Sequence, residues 1–273
     1  MHWTFEAEEA IKKVPFFVRK RVRARVEDEA LKEGKTKITI TEVNATQKRY
    51  LTGMAQEVKG YQLDTCFGPA GCPNRIQPGI GVSEKIEKLL KEADLLAFLK
   101  SKGVENLKFH HEFRVTLADC PNACSQPQIK DIGIIAAALP AVSAESCSGC
   151  NACADTCREE AIVIDHTPQP VIKKEKCVAC GQCIPVCPTG TLIDGPKGYR
   201  VQLGGKLGRH PQLAKELPGI YGEMTVLDIV TECIRLYKKN CKTGERFGEL
   251  LDNENFQTLA EKFKDEACLR LIP

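Results

Sequence analysis

The sequence predicts an α+β protein in three parts: a small N-terminal helical domain, a mixed sheet with helices, and a cysteine-rich module inserted into that sheet domain. Three observations carry this reading. Residues up to about Ala45 are charged and place apolar residues at helical spacing. The stretches on either side of the insert combine helical periodicity with strand-like runs. Between them, Cys147 to Cys187 holds eight of the chain's fifteen cysteines in two copies of one spacing. The expected division is 1–48 for the helical domain, 49–144 with 191–273 for the sheet domain, and 145–190 for the insert.

The N-terminal part places Ala7, Ile11, Val14, Val18, Val22, Val26 and Ala30 on one apolar face. Pro15 interrupts it, which predicts a short helix and then a longer one ending near Gly34. A short strand, Lys37 to Thr41, should follow, with Thr41 able to cap another helix. The basic residues Lys12, Lys13, Arg19, Lys20, Arg21, Arg23 and Arg25 face Glu27, Asp28 and Glu29, and read as a solvated face rather than a nucleic-acid site. Further on, Ser83 to Lys100 is amphipathic through Ile86, Leu89, Leu90, Ala93, Leu96 and Ala97, and Phe113 to Leu117 suits a strand leading into Cys120. After the insert, Gly195, Gly198, Gly204, Gly205 and Gly208 suggest turns, and Met224 to Lys239 and Asn255 to Ala267 suggest helices.

The bulk numbers are those of a globular chain: 273 residues, 42% hydrophobic and 27% charged. The net charge of +3, from 39 basic and 36 acidic residues, is too small to imply general affinity for nucleic acid or an anionic membrane. The longest apolar run, Ile132 to Val142, is far shorter than a membrane span and contains Pro140. Met1-His2-Trp3 leads directly into charged residues without a signal-peptide pattern, so a cytoplasmic location is expected. In a reducing compartment, clustered cysteines hold metal more often than they form disulfides. Cys233, Cys241 and Cys268 fall in no cluster and read as small buried hydrophobes.

The insert repeats Cys-x2-Cys-x2-Cys-x3-Cys as Cys147, Cys150, Cys153, Cys157 and as Cys177, Cys180, Cys183, Cys187. Three thiolates on one tight loop can take three corners of a cubane, and the fourth crosses to the other cluster. One [4Fe–4S] cluster is therefore assigned to Cys147, Cys150, Cys153 and Cys187, and a second to Cys177, Cys180, Cys183 and Cys157. Zinc also binds Cys-x2-Cys, but the doubled run of four and the small residues Gly149, Ala152, Ala179 and Gly181 favour a ferredoxin-like, electron-transferring module.

Four cysteines outside the insert form a second constellation, Cys66-x5-Cys72 and Cys120-x3-Cys124. Spacing alone leaves structural zinc, buried thiols and a cluster open. The words around them, Asp119-Cys-Pro-Asn-Ala-Cys-Ser-Gln-Pro-Gln-Ile-Lys-Asp-Ile-Gly133 and Gly198-Tyr-Arg-Val-Gln-Leu-Gly-Gly-Lys-Leu-Gly-Arg-His-Pro211, resemble the siroheme-dependent sulfite and nitrite reductases. The likeness is greatest to the dissimilatory and small anaerobic types, which carry a spliced-in ferredoxin module. It implies a sulfite-reductase-like half in which Cys66, Cys72, Cys120 and Cys124 hold a third [4Fe–4S] cluster, with Cys124 bridging to siroheme. It implies reduction of a small oxyanion, sulfite to sulfide or nitrite to ammonia. Lys130, Lys206 and Arg209 become candidates to bind the oxyanion and His210 a candidate proton donor. Asn122, Gly204 and Gly205 become candidate tetrapyrrole contacts. Arg75 and the His110-His111 pair read as structural.

An electron donor such as a ferredoxin or reductase is implied, as is a homodimer or hetero-oligomer, since family members with a preceding half look like a duplicated unit. Where the family has a lysine-rich strand, this chain reads Lys108-Phe-His-His-Glu-Phe-Arg114. The alternative reading is a non-catalytic iron–sulfur subunit that passes electrons to a partner. Trp3 and Val14-Pro-Phe-Phe-Val-Arg19 resemble a small domain of a light-independent protochlorophyllide reductase subunit.

Overall fold

The structure, a computed structural model, describes residues 1–76, 80–103, 107–164 and 169–269; of residues 51–57, 80, 268 and 269 only the backbone is described. The chain divides into two compact units, Met1–Lys59 (joined by Leu107 and Lys108) and the remainder.

In the first unit β1 (His2–Trp3) pairs in parallel with β2 (Lys37–Ile38), and α1 (Phe5–Lys12), α2 (Phe16–Lys32) and α3 (Ile40–Glu57) complete it. Pro15 separates α1 from α2 because it cannot donate a helical N–H. The carbonyls freed there are taken by Arg19, whose guanidinium donates to Lys12 O at 2.7 Å and Val14 O at 2.9 Å. Trp3, Ala7, Ile11, Val26, Ala30, Ile38 and Val43 form the core. The strand stops two residues after it starts because Thr39, not Thr41, caps α3. The Glu42 carboxylate accepts from Thr39 N at 2.8 Å, closing a capping box. The basic face is paired: Arg23 bonds Glu8, Arg25 Glu29 and Lys12 Glu9.

The second unit is built on a seven-stranded mixed sheet. β3 (Tyr61–Thr65), β4 (Phe113–Ala118) and β5 (Ile132–Val142) run parallel; β8 (Leu192–Leu203) is antiparallel to β5. Before β4 come α4 (Ile80–Glu92) and α5 (Leu95–Ser101). The single helix expected over Ser83 to Lys100 is broken at Asp94, which adopts a left-handed conformation (φ 44°) and accepts the Ala97 N–H as a cap. Between β5 and β8 lie α6 (Ala152–Thr156), β6 (Ile162–Ile164) and β7 (Pro170–Ile172), so the insert occupies the turn of a long hairpin. Gly195 and Gly198 are strand residues rather than turns. A Cβ on Gly198 would stand 2.4 Å from Tyr221 O, so glycine permits the neighbouring backbone to approach.

The chain closes with β9 (Lys215–Glu216), β10 (Ile220–Tyr221), α7 (Glu223–Asn240), α8 (Phe247–Leu250), α9 (Asn253–Phe263) and β11 (Ala267–Leu269). Helices α4, α7 and α9 bury Ile86, Leu90, Ile229, Val230, Leu259 and Phe263 against Val115, Ile134 and Val201 of the sheet. Cys233 and Cys241 are buried in this core; the Cys268 side chain lies outside the described residues. No described helix is long and apolar enough to cross a membrane.

Candidate functional site

Parallel pairing of β3 with β4 sets Thr65 opposite Leu117. Cys66, one residue on, donates its N–H to Leu117 O at 3.0 Å, and the chain after β4 turns through Asp119 and Cys120 at the same edge. Two cysteine pairs far apart in sequence therefore meet at the carboxyl ends of parallel strands, where open sheets commonly place ligands. Cys66, Cys72, Cys120 and Cys124 all line one cavity of about 270 Å³, together with Arg75, Asp119 and Asn122.

The backbone is arranged to serve anionic sulfur. Gly68 N and Asp119 N point at Cys66 Sγ at 3.4 and 3.3 Å. Asn122 Nδ2 stands 4.0 Å from Cys124 Sγ. Burial pushes the Cys120 thiol up, and the charges of Cys72, Cys124 and Cys66 push it further. Four mutually repelling sulfurs of this kind suit a cationic centre that takes all of them as thiolates. Asp119 is buried, its Oδ2 has no hydrogen-bond partner among the described residues, and burial raises its carboxyl while Arg75 opposes that.

In the insert both cysteine loops have the same backbone. Gly149 and Asn151 flank Cys150 with φ of 68° and 61°, and Ala179 and Gly181 flank Cys180 with φ of 58° and 68°. Such left-handed steps turn successive N–H groups inward. Gly149 N reaches Cys147 Sγ at 3.4 Å, Ala161 N reaches Cys157 Sγ at 3.3 Å, and Leu192 N reaches Cys187 Sγ at 3.4 Å. The last contact brings Cys187 down to about 7, whereas burial pushes Cys183 up to about 12. The sulfurs group across the repeat. Beyond the effect of burial, Cys153 feels Cys147 and Cys187, while Cys177 and Cys183 both feel Cys180 and Cys157. No three His, Cys, Asp or Glu side chains among the described residues converge tightly enough for a single ion, whereas the corners of a cubane set its sulfurs further apart.

The remaining candidates lie elsewhere. Lys130 is mostly buried and its Nζ bonds Asp64 Oδ2 at 2.6 Å. Lys206, also buried, bonds Glu249 Oε1 at 2.6 Å. Arg209 and His210 are exposed on the loop that follows. Gly204 (φ 82°) is packed against Leu251, and a Cβ on Gly205 would stand 2.5 Å from Gln128 O, so both glycines serve close packing of the chain on itself. Among the described residues the cavity lining includes none of these six, and Asn122 is the candidate contact that it does include. Its cation is Arg75, which sequence reasoning treated as structural although it follows Cys72 by three residues.

With this geometry in view, comparison with known proteins gives a consistent picture. The family model described as nitrite and sulphite reductase 4Fe-4S domain matches residues 65–269, most of the chain. One described as proto-chlorophyllide reductase 57 kD subunit matches residues 3–46. A coenzyme F420-dependent sulfite reductase of Methanocaldococcus jannaschii is 44% identical over 54 residues, 20% of this chain and 9% of that protein. An anaerobic sulfite reductase subunit from Salmonella typhimurium is 24% identical over 132 residues, 48% of this chain and 33% of that protein. The matches thus span at most a third of these two relatives. A crystal structure of dissimilatory sulfite reductase I aligns with a TM-score of 0.47 at 15% identity, covering 73% of this chain and 51% of that one. From Thr65 to Leu269 the chain belongs to the nitrite and sulphite reductase 4Fe-4S domain family.

Proposed function

We propose that the chain is a siroheme- and iron–sulfur-dependent reductase of sulfite to sulfide, or of nitrite to ammonia, with electrons entering through a ferredoxin-like insert. The observation that carries this is the single cavity lined by Cys66, Cys72, Cys120 and Cys124, drawn from two distant segments. These four would hold one [4Fe–4S] cluster, and the two crossed sets of the insert would hold two more. Cys124, which is exposed and approached by Asn122, would be the cysteine that holds a tetrapyrrole iron next to this cluster. That iron, when bound, supplies the position where the oxyanion is ligated and receives electrons.

The chain's own residues then have definite tasks. The N–H groups of Gly68 and Asp119 lower the cost of an anionic Cys66 sulfur. Arg75 places positive charge at the cavity where an oxyanion or a tetrapyrrole carboxylate would sit. Lys130 and Lys206 reach such a ligand only by leaving Asp64 and Glu249, while Arg209 and His210 stand exposed to meet one. The relatives named as sulfite reductases, one of them a subunit, support a sulfite substrate and a multi-subunit assembly; a ferredoxin or reductase as electron donor, and a homodimer or hetero-oligomer, complete the proposal.

A second reading, an electron-transferring subunit without its own substrate site, is favoured by Arg75 being the one cation that lines the cavity among the described residues. Anaerobic purification from a siroheme-producing host separates the two. A Soret band with a red band is expected, and Cys124→Ser should abolish oxyanion reduction while the insert clusters still reduce. A broad brown shoulder alone would overturn the reductase reading in favour of the carrier.

A further inference from the structure

The two cysteine sets of the insert differ in how they meet the rest of the molecule. The first loop is open: Ser148, Gly149, Cys150 and Asn151 are all exposed. The second is laid on the sheet. Ala138 N donates to Ala179 O at 2.8 Å, Ala138 bridges Cys180 in parallel register, and Gly181 is so close that a Cβ there would stand 3.0 Å from the Ala138 methyl. Ala179 is buried with Ala137, Leu139 and Ile220, and Cys177 packs on the same group.

One side chain ties this loop to the sheet. Arg200 of β8 donates from Nη1 to Val178 O at 3.2 Å, and its other nitrogens form a fork on Glu216 at 2.6 and 2.8 Å. The Arg200 side chain is only 19% exposed, so its charge is weakly screened. Val178 directly follows Cys177, so the bond to its carbonyl holds the guanidinium one residue from a sulfur of the second set. Register places Arg200 opposite Ile135, and Ile135 opposite Ala118, which lines the four-cysteine cavity. Those two strand steps span about 10 Å at the usual spacing between neighbours.

Building on the proposed function, we infer that Arg200 is the positioning residue of the electron exit. It seats the Cys157/Cys177/Cys180/Cys183 set on β5 and raises that set's reduction potential above that of the Cys147/Cys150/Cys153/Cys187 set. The latter, reached through the exposed loop around Cys150, is then the inlet for a low-potential one-electron carrier. Each transfer oxidises the donor by one electron and reduces the acceptor by one; no bond forms or breaks. Arg200 gives up no proton, because a guanidinium stays charged throughout the working pH range.

The test is an anaerobic redox titration of the holoprotein followed by electron paramagnetic resonance, with Cys150→Ser used to identify the signal of the first set. Arg200→Gln should shift the second set to lower potential and leave the first unmoved. Arg200→Lys should retain most of the potential, and Glu216→Gln should shift the second set upward. If Arg200→Gln loses iron, the lysine variant and Glu216→Gln decide alone. Full cluster content with unmoved potentials, or a shift confined to the first set, overturns the role of Arg200. An insert that binds no clusters in the wild-type chain overturns instead the reading on which this role rests.

Discussion

An added Cβ on Gly68 would stand 2.5 Å from Oδ2 of Asp119 and 2.8 Å from its Cβ, closer than real side chains approach. The same glycine donates its N–H to Cys66 Sγ, so neither neighbour is free to move without disturbing the cavity wall. Gly68→Ala should therefore displace the Cys66 loop and cost the cluster proposed at Cys66, Cys72, Cys120 and Cys124, removing about a third of the iron expected for three clusters while that of the insert is kept. Iron per chain and visible absorption of the purified variant check this; an undiminished iron content would show that Asp119 yields instead. The insert shows a second residue-scale device. Ala179 holds a left-handed conformation that costs a residue with a Cβ roughly 1–2 kcal/mol, which the proposed cluster would offset by binding at the inward N–H groups; Asn151 adopts the same conformation at lower cost. Gly149, Ala179 and Gly181 were legible in the sequence as small residues that let amides close on sulfur, whereas Asn151 was not.

Among the elements, β5 carries the most. Ile132 through Leu139 are all buried, with β4 parallel on one side and β8 antiparallel on the other. Its entry is fixed by Asp131, whose fully buried carboxylate accepts from Arg114 N and from Arg246 Nη2, both at 2.8 Å. Burial raises the Asp131 carboxyl and Arg246 opposes the rise, so the ion pair is what permits a charge there. Arg246→Met leaves that charge uncompensated and should destabilise the domain by about 3 kcal/mol, whereas adding Asp131→Asn should recover much of the loss. Anaerobic denaturant titration of the single and double variants measures both; a double variant no better than the single would mean that Arg246 acts by packing alone. At this scale the sequence was readable wherever one local rule decided. Pro15 divided α1 from α2, and apolar periodicity located α7 and α9. It was misread where a short polar side chain competed with the pattern, as Asp94 does between α4 and α5 and Thr39 at the start of α3. It was misread again at Gly195 and Gly198, whose reason lies on neighbouring strands.

For the molecule as a whole, the insert's repeated cysteine loops were legible because each loop is local, while the four-cysteine cavity was not. Cys66 and Cys120 meet only through the pairing of β3 with β4, and no spacing encodes that contact; resemblance to a family suggested it. Arg75 was read as structural and Arg200 was not singled out for the same reason, since their positions acquire meaning only in the folded sheet. The topology also says which part can be removed. The insert leaves β5 after Val142 and returns at Leu192, and its neck is closed by Ser143 N donating to Thr191 O at 2.8 Å and Ser143 Oγ to Gly190 O at 2.9 Å. The ends of a strand pair held this way need only a tight turn, so residues 145–189 can be replaced by a short Asn-Gly connection. The excised chain uncovers Ala137, Leu139 and Ile220 and frees Arg200 from Val178, and its thermal midpoint should fall. Its sheet should nonetheless form, because Ile132 to Val142 still pairs with Leu192 to Leu203. It should keep about a third of the iron, on Cys66, Cys72, Cys120 and Cys124, and that centre should still be bleached by dithionite. Reduction by a ferredoxin should instead slow by at least tenfold, a barrier increase of about 1.4 kcal/mol, because the inlet is gone. Iron analysis and stopped-flow reduction by the two donors decide the matter. A soluble excised chain without the four-cysteine centre would show the insert to be part of the scaffold, and unchanged reduction by ferredoxin would place the inlet elsewhere.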